Sequence, residues 1–447
     1  MPSSCAAALR APYSAAMRAG LSTRMLAGLV IGAALGVAAH LLLGESAVLD
    51  SLIANLTEPA GRIFLRLLFM LVIPLVISAL ALGVAELRDL RQLGRIGLKT
   101  LAYTVVVSSV AVAIGVGMVN AVRPGEGLST ELRAKLSARA LPTAPAAAPA
   151  GATGVDFLVQ LVPSNVVQAM ASGDMLAVMV FALFLGVGLA LTRTDAARAF
   201  ETALQGLYDV VMHLLALVIR IAPVGVACLL FSLTARLGYD VLRQLGWYVA
   251  VVVIALALQQ FVVYSISVRW LGGMRPSHFF RAIHPAVVTA FSTASSNATL
   301  PTALQVAEEG LRLPPQVSRF VLSIGSTANQ NGTALFEGVT VLFLAQFYGV
   351  DLTLGQQVLV VFICILGGVG TAGVPAGSIP VVAMILGMVG VPPDGIGIIL
   401  GVDRVLDMCR TTVNVTGDLA AAVVVARGEP RLSGTAGGAP AGTVLAR

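Results

Sequence analysis

The sequence predicts an all-α, multi-pass membrane protein, and three observations carry that reading. Of 447 residues, 57% are hydrophobic and only 11% are charged, whereas soluble globular chains carry about 25% charged residues. Mean hydropathy is +0.92. Apolar residues also gather into runs of about 20, the length a helix needs to cross the hydrocarbon of a bilayer.

The first such run is 25–43, followed by an acidic loop with Glu45, Asp50 and Glu58. The second is 63–82, with Pro74 inside it, followed by a basic loop with Arg88, Arg91, Arg95 and Lys99. The third is 101–119. Basic loops stay cytoplasmic, so the N-terminal tail, 1–24, is expected inside. No cleavable signal is expected, because Arg10, Arg18 and Arg24 precede a span long enough to remain in the membrane. Residues 123–154 are Ala/Pro-rich and read as an external linker. Further spans fall at 175–192, 207–233 and 245–268. A break is expected at Ala222-Pro223-Val224-Gly225, and Arg269, Arg275 and Arg281 mark a cytoplasmic end. The tail 428–447 reads as disordered and cytoplasmic. The formal charge of +6 would suggest nucleic acid in a soluble domain, but here the basic residues orient spans. Cys5, Cys228, Cys364 and Cys409 have neither disulfide nor metal spacing.

The C-terminal third differs. Its apolar segments are interrupted by small polar runs at 292–299, 328–333 and 367–375. Unpaired backbone in hydrocarbon costs several kcal/mol per group, so such runs belong where protein encloses a cavity. The runs around Ser295 and Gly373 lie between apolar arms about half a span long, the pattern of re-entrant hairpins. Paired broken elements of this kind hold a substrate near the bilayer midplane. The alternative, Gly/Ser-rich helix packing, explains one run better than three.

The final span, 398–425, carries Asp403, Arg404, Asp407, Arg410, Thr411, Asn414 and Asp418. At about 100° per residue, all but Arg404 fall within an arc of roughly 100°. Each ionised group at a bilayer centre costs at least about 2.5–3.5 kcal/mol, so this face must meet partners or water inside the protein. A salt-bridge lattice that only glues helices is one reading. The other is a binding site, because Asn and Thr interleaved with the charges supply neutral oxygen ligands for a hard cation. Asp407 suits an ammonium. Arg410 can grip a carboxylate through two parallel hydrogen bonds. Thr411 and Asn414 can fix the remaining polar atoms, which leaves Asp418 and Asn329 for a cation.

At these residues the chain resembles the glutamate transporter homologues, the dicarboxylate/amino acid:cation symporter family. The resemblance covers residues 20–427 and is strongest in the runs 370–375 (GTAGVP) and 407–418 (DMCRTTVNVTGD). It implies eight transmembrane helices plus two re-entrant helical hairpins, a homotrimer, and an elevator-type transporter. Within 25–275, helices 1, 2, 4 and 5 would form a trimerisation scaffold, while helices 3 and 6 would join the core transport region, 276–427 (hairpin 1, helix 7, hairpin 2, helix 8). The expected localisation is the inner (plasma) membrane, with both termini cytoplasmic. The implied activity is secondary symport of aspartate or glutamate with Na⁺, H⁺ or both, and no catalysis.

Carried over position by position, the resemblance implies that Ser295, Ser296, Thr333, Asp407, Arg410, Thr411 and Asn414 contact substrate, together with the Val374 backbone. One Na⁺ site would use Gly325, Asn329, Asn414 and Asp418. A second would use Thr327 with carbonyls of Gly368, Val369 and Thr371. The chain departs from the family at Asn331, where sodium-coupled relatives have a carboxylate that helps hold a third Na⁺. Thr104 and Val107 stand where relatives have Tyr and Thr beside the equivalent of Ser108. An arginine that relatives carry near the binding aspartate is replaced by Ala294 and Met408, and Arg404 is the candidate substitute.

A C4-dicarboxylate symporter of the same fold is the nearest competitor, but Asp407 would repel a substrate without an amine. A passive anion channel is a second alternative. A membrane hydrolase would need a nucleophile with a base or a metal set, and His40, His213, His278 and His284 are scattered without metal spacing.

Overall fold

The computed structural model describes residues 15–44, 46–86, 95–126, 162–172, 175–192, 194–370 and 377–427, and the elements among them are all helical. Five continuous helical segments among the described residues are long and apolar enough to cross a membrane: Thr23–Leu43, Ala47–Ala85, Arg95–Val122, Asp195–Arg236 and Asp240–Leu271. Large apolar side chains on these segments, such as Val30, Leu42, Val106 and Phe261, point outward. Contiguous apolar surface of that kind is suited to lipid and costly in water.

In chain order the first helices are α1 (Ala15–Leu43), α2 (Ala47–Leu52), α3 (Glu58–Phe69), α4 (Val72–Glu86) and α5 (Arg95–Val122). Next come α6 (Val166–Ser172), α7 (Met175–Leu191), α8 (Asp195–Leu237), α9 (Asp240–Leu258) and the short α10 (Tyr264–Ile266). The last are α11 (Pro276–Thr293), α12 (Ser296–Gln305), α13 (Pro315–Ala328), α14 (Asn331–Tyr348), α15 (Leu354–Gly370), α16 (Ser378–Met388) and α17 (Ile396–Ala426). Most of the expected linker and the C-terminal tail lie outside the described residues.

One group of helices is built on close backbone contact. A Cβ added at Gly28 or Gly32 of α1 would collide with the carbonyls of Pro223 and Ala227 on α8, and one at Gly36 would lie 2.6 Å from the Phe231 carbonyl oxygen. Small residues at four-residue spacing let two helices approach at backbone distance where lipid supplies no hydrophobic drive. The break expected at 222–225 does not form, because α8 runs through Pro223 as one helix. Proline removes one amide donor, and the tight seat of α1 along this stretch holds the helix together. Gly225 against Phe64 joins α3 to α8, Gly186 against the Ala81 carbonyl joins α7 to α4, and α4 packs on α8, so all are in the same group.

The second group contains α5, α9 and α11–α17. Tyr248 of α9 stacks on Phe343 of α14 at 4.6 Å and shares a hydrogen bond of 2.8 Å with Thr340. Gly115 of α5 lies against Leu335 and Val339. The groups meet along the first half of α17, where Gly397 and Gly401 face Leu229 and Leu29.

Two interruptions among the described residues coincide with polar runs. α11 and α12 pack as a helical hairpin whose turn places Ala294 at φ +47°, with Ser295 as the N-cap of α12. A left-handed alanine carries a steric cost that glycine would avoid. α13 and α14 are separated by Asn329 and Gln330 in non-helical conformation. α15 and α16 flank 371–376, which lies outside the described residues.

Candidate functional site

The last helix, α17, is surrounded by α13, α14, α11 and α12, so its polar face is enclosed by protein. Asp403, Arg404, Asp407, Arg410, Thr411, Asn414 and Asp418 are all buried. The charges pair with one another. Arg410 Nη1 donates to Asp403 Oδ1 at 2.8 Å, and its Nε donates to Asp407 Oδ1 at 3.0 Å, with Nη2 2.9 Å from the same oxygen. Arg404 Nη1 donates to the other carboxylate oxygen, Asp407 Oδ2, at 3.3 Å. The Arg410 guanidinium lies 4.1 Å from the ring centre of Phe336, a cation–π contact that strengthens when water is excluded. Two aspartates and two arginines thus form a balanced tetrad with Asp407 between the arginines.

One to two turns further on, neutral chemistry takes over. Asn414 Oδ1 accepts the backbone N–H groups of Gly332 at 2.7 Å and Thr333 at 3.3 Å. These first-turn donors of α14 have no partner within their own helix. Asn414 Nδ2 donates to Gln330 Oε1 at 2.5 Å and Thr333 Oγ1 at 3.0 Å. Gln330 in turn donates to the Ser326 carbonyl at 2.8 Å, near the end of α13. Asn329 Nδ2 donates to Asp418 Oδ1 at 2.9 Å, while Asn329 Oδ1 is buried with no hydrogen-bond partner among the described residues. Gly325 makes room for the Asp418 carboxylate, since a Cβ there would lie 2.6 Å from Oδ1.

Asp407 and Arg410 are in direct contact, and Thr333 joins Asn414. Gly325, Asn329 and Asp418 form a second cluster on the same helix face. Ser295 and Ser296 are buried at the α11–α12 turn, and Ser296 Oγ has no hydrogen-bond partner among the described residues. Thr411 is buried on α17. Thr327 Oγ1 donates to the Ile324 carbonyl at 3.0 Å. Gly368 approaches the Gln330 carbonyl oxygen, which an added Cβ would meet at 3.4 Å. The Val369 backbone is helical, while Thr371 and Val374 lie outside the described residues.

At the departures from the family pattern, Asn331 Oδ1 accepts from Ser108 Oγ at 2.5 Å, and its Nδ2 donates to Tyr264 Oη at 3.2 Å. Tyr264 Oη donates to the Val413 carbonyl at 3.0 Å. The α5 tyrosine in this region is Tyr103, sharing a hydrogen bond of 2.9 Å with Ser267.

Sequence reasoning missed Glu337. It lies on α14, fully buried, and both carboxylate oxygens lack a hydrogen-bond partner among the described residues. Gly367 of α15 faces it, with an added Cβ 3.1 Å from Oε2. The signal was present, since Glu337 is the single charged residue in an 18-residue apolar helix, and ionisable groups inside membranes mark functional sites.

The chain is similar to several named transport proteins. The proton/glutamate-aspartate symporter of Escherichia coli (strain K12) is 34% identical over 400 residues, which cover 89% of this chain and 90% of that protein. The proton/sodium-glutamate symport protein of Bacillus subtilis (strain 168) is 32% identical over 399 residues, 89% and 91% of the two chains. The C4-dicarboxylate transport protein of Anaeromyxobacter sp. (strain K) is 32% identical over 406 residues, again 89% and 91%. Residues 21–428 match the family described as the sodium:dicarboxylate symporter family. A match over nearly the whole chain, joined to buried opposite charges on an enclosed helix, means that this membrane protein belongs to the sodium:dicarboxylate symporter family.

Proposed function

We propose that this cation-coupled symporter imports an acidic amino acid, aspartate or glutamate, across the inner membrane. The observation that carries the reading is the contact between Asp407 and Arg410, two buried opposite charges 2.9 Å apart. An amino acid can insert between them, its ammonium on Asp407 and a carboxylate on Arg410, and each protein charge then exchanges one ionic partner for another. Neither is left bare, which matters because an uncompensated buried charge is expensive. Thr333, Thr411, Asn414, Ser295, Ser296 and the Val374 backbone complete the substrate site.

Na⁺ and H⁺ enter as co-substrates. Asn329 and Asp418, with Gly325 and Asn414, fit one Na⁺: Asn329 Oδ1 has no hydrogen-bond partner among the described residues, and the backbone carbonyl oxygens of Gly325 and Asn414 each have two lone pairs. Thr327 with carbonyls of Gly368, Val369 and Thr371 would hold another. Glu337 fits a proton, because a fully buried carboxyl without a hydrogen-bond partner among the described residues carries the smallest desolvation cost when neutral.

The architecture that accompanies this reading is eight transmembrane helices with two re-entrant hairpins, α11–α12 and α15–α16. The second helix group would move as an elevator against a scaffold of the first, within a homotrimer whose termini are cytoplasmic. The separate packing of the two groups supports that division. The test is uptake of labelled aspartate and glutamate into proteoliposomes with Na⁺ and H⁺ gradients imposed separately. Concentrative uptake that collapses with a gradient is expected. Equilibration without concentration would mean a passive anion pathway instead.

A further inference from the structure

Asp407 holds a second cation that the substrate-binding scheme does not use. Arg410 occupies Oδ1, and Arg404 Nη1 approaches Oδ2 at 3.3 Å. Arg404 is only 7% exposed, so its charge is not handed to water. On the helix it sits just beyond the polar arc, one turn before Asp407, at the end of α17 that faces α1 and α8.

We propose that Arg404 is a specificity-determining residue, an internal counter-ion that stands in for the substrate's ammonium at Asp407. The inference rests on the acidic-substrate reading above. When a carboxylate draws Arg410 away, Asp407 keeps Arg404 and stays neutralised. An amine-free dicarboxylate is then not repelled by a bare carboxylate, which removes the physical objection to such a substrate. An amino acid meets the opposite situation, because its ammonium must share Asp407 with a guanidinium of like charge. Arg404 therefore narrows the preference for amino acids over amine-free dicarboxylates of the same length.

The test is competition by succinate and by unlabelled aspartate against labelled aspartate uptake in proteoliposomes, for wild type, Arg404→Gln and Arg404→Lys. Close charge pairs couple by about 1.5–7 kcal/mol, so Arg404→Gln is expected to raise the ratio of succinate to aspartate inhibition constants by about tenfold or more. Arg404→Lys, which keeps the charge, should stay near the wild-type ratio. A ratio unchanged in Arg404→Gln, or shifted equally in both variants, overturns the assignment. Should Arg404→Gln fail to assemble, wild type still decides: succinate must compete, and its complete exclusion overturns the proposal. Absence of acidic amino acid uptake by wild type overturns the functional reading and this inference together. Normal uptake with an unmoved ratio removes this inference alone.

Discussion

Asn414 Oδ1 lies 2.7 Å from the backbone nitrogen of Gly332, so a side chain of α17 caps the first turn of α14 at the point where α13 and α14 are interrupted. The two elements that carry most of the polar site are thereby locked in register. Asn414→Ala leaves the Gly332 and Thr333 donors and the Gln330 amide without this partner. Each buried unsatisfied group costs about 1–3 kcal/mol. A lower unfolding midpoint in detergent and weaker aspartate uptake are expected. An unchanged midpoint would show that the interruption is held by other contacts.

In the proposed scheme Arg410 selects for an acidic side chain. Arg410→Thr removes a guanidinium that contacts both Asp403 and Asp407. Losing one partner of a buried charge pair costs about 2–5 kcal/mol, so affinity for aspartate and glutamate should fall by more than tenfold while neutral amino acids gain entry. Retained acidic uptake with neutral substrates still excluded would refute the role.

The proposed scheme has Asp407 recognise the ammonium. Asp407→Asn keeps the shape but removes the charge, and binding of aspartate should be lost. Binding of an amine-free dicarboxylate should suffer less, because it makes no use of that carboxylate. Isothermal titration with both ligands checks this, and equal losses would favour a dicarboxylate carrier.

Glu337 is the proposed proton carrier. Glu337→Gln preserves the volume beside Gly367 and stays neutral at every pH, so uptake should lose its acceleration by an inward proton gradient. Simultaneous measurement of internal pH should show no substrate-driven acidification. Proton flux equal to that of wild type would exclude Glu337.

On the proposed reading Asn331 limits the number of coupled Na⁺. Its amide oxygen is already hydrogen-bonded to Ser108 and its amide nitrogen to Tyr264, a neutral network in place of an anionic cation ligand. At most two Na⁺ per substrate are expected from reversal potentials in vesicles, and three would contradict this. Asn331→Asp with Val107→Thr restores a carboxylate and a hydroxyl beside Tyr103 and should raise the count by one.

The membrane class, most spans and the chemistry of the last helix were legible in the chain because they depend on local sums. Hydropathy adds over about 20 residues, and helical periodicity alone puts Asp403, Asp407, Arg410 and Asn414 on one face. The polar runs also mark the interruptions at Ser295 and Asn329. Pro223 shows the limit of that reasoning. A proline and a glycine read as a break, yet the helix persists because Gly28, Gly32 and Gly36 of a distant segment press α1 against it. Partner choice is likewise decided in three dimensions. Nothing in the local pattern says that Arg404 turns toward Asp407, that Asn414 caps α14, or that Glu337 is left without a hydrogen bond among the described residues. Those outcomes depend on distances of a few ångströms between helices far apart in the chain, and in a low-dielectric interior such distances determine which charge is compensated and which group remains to bind a substrate or an ion.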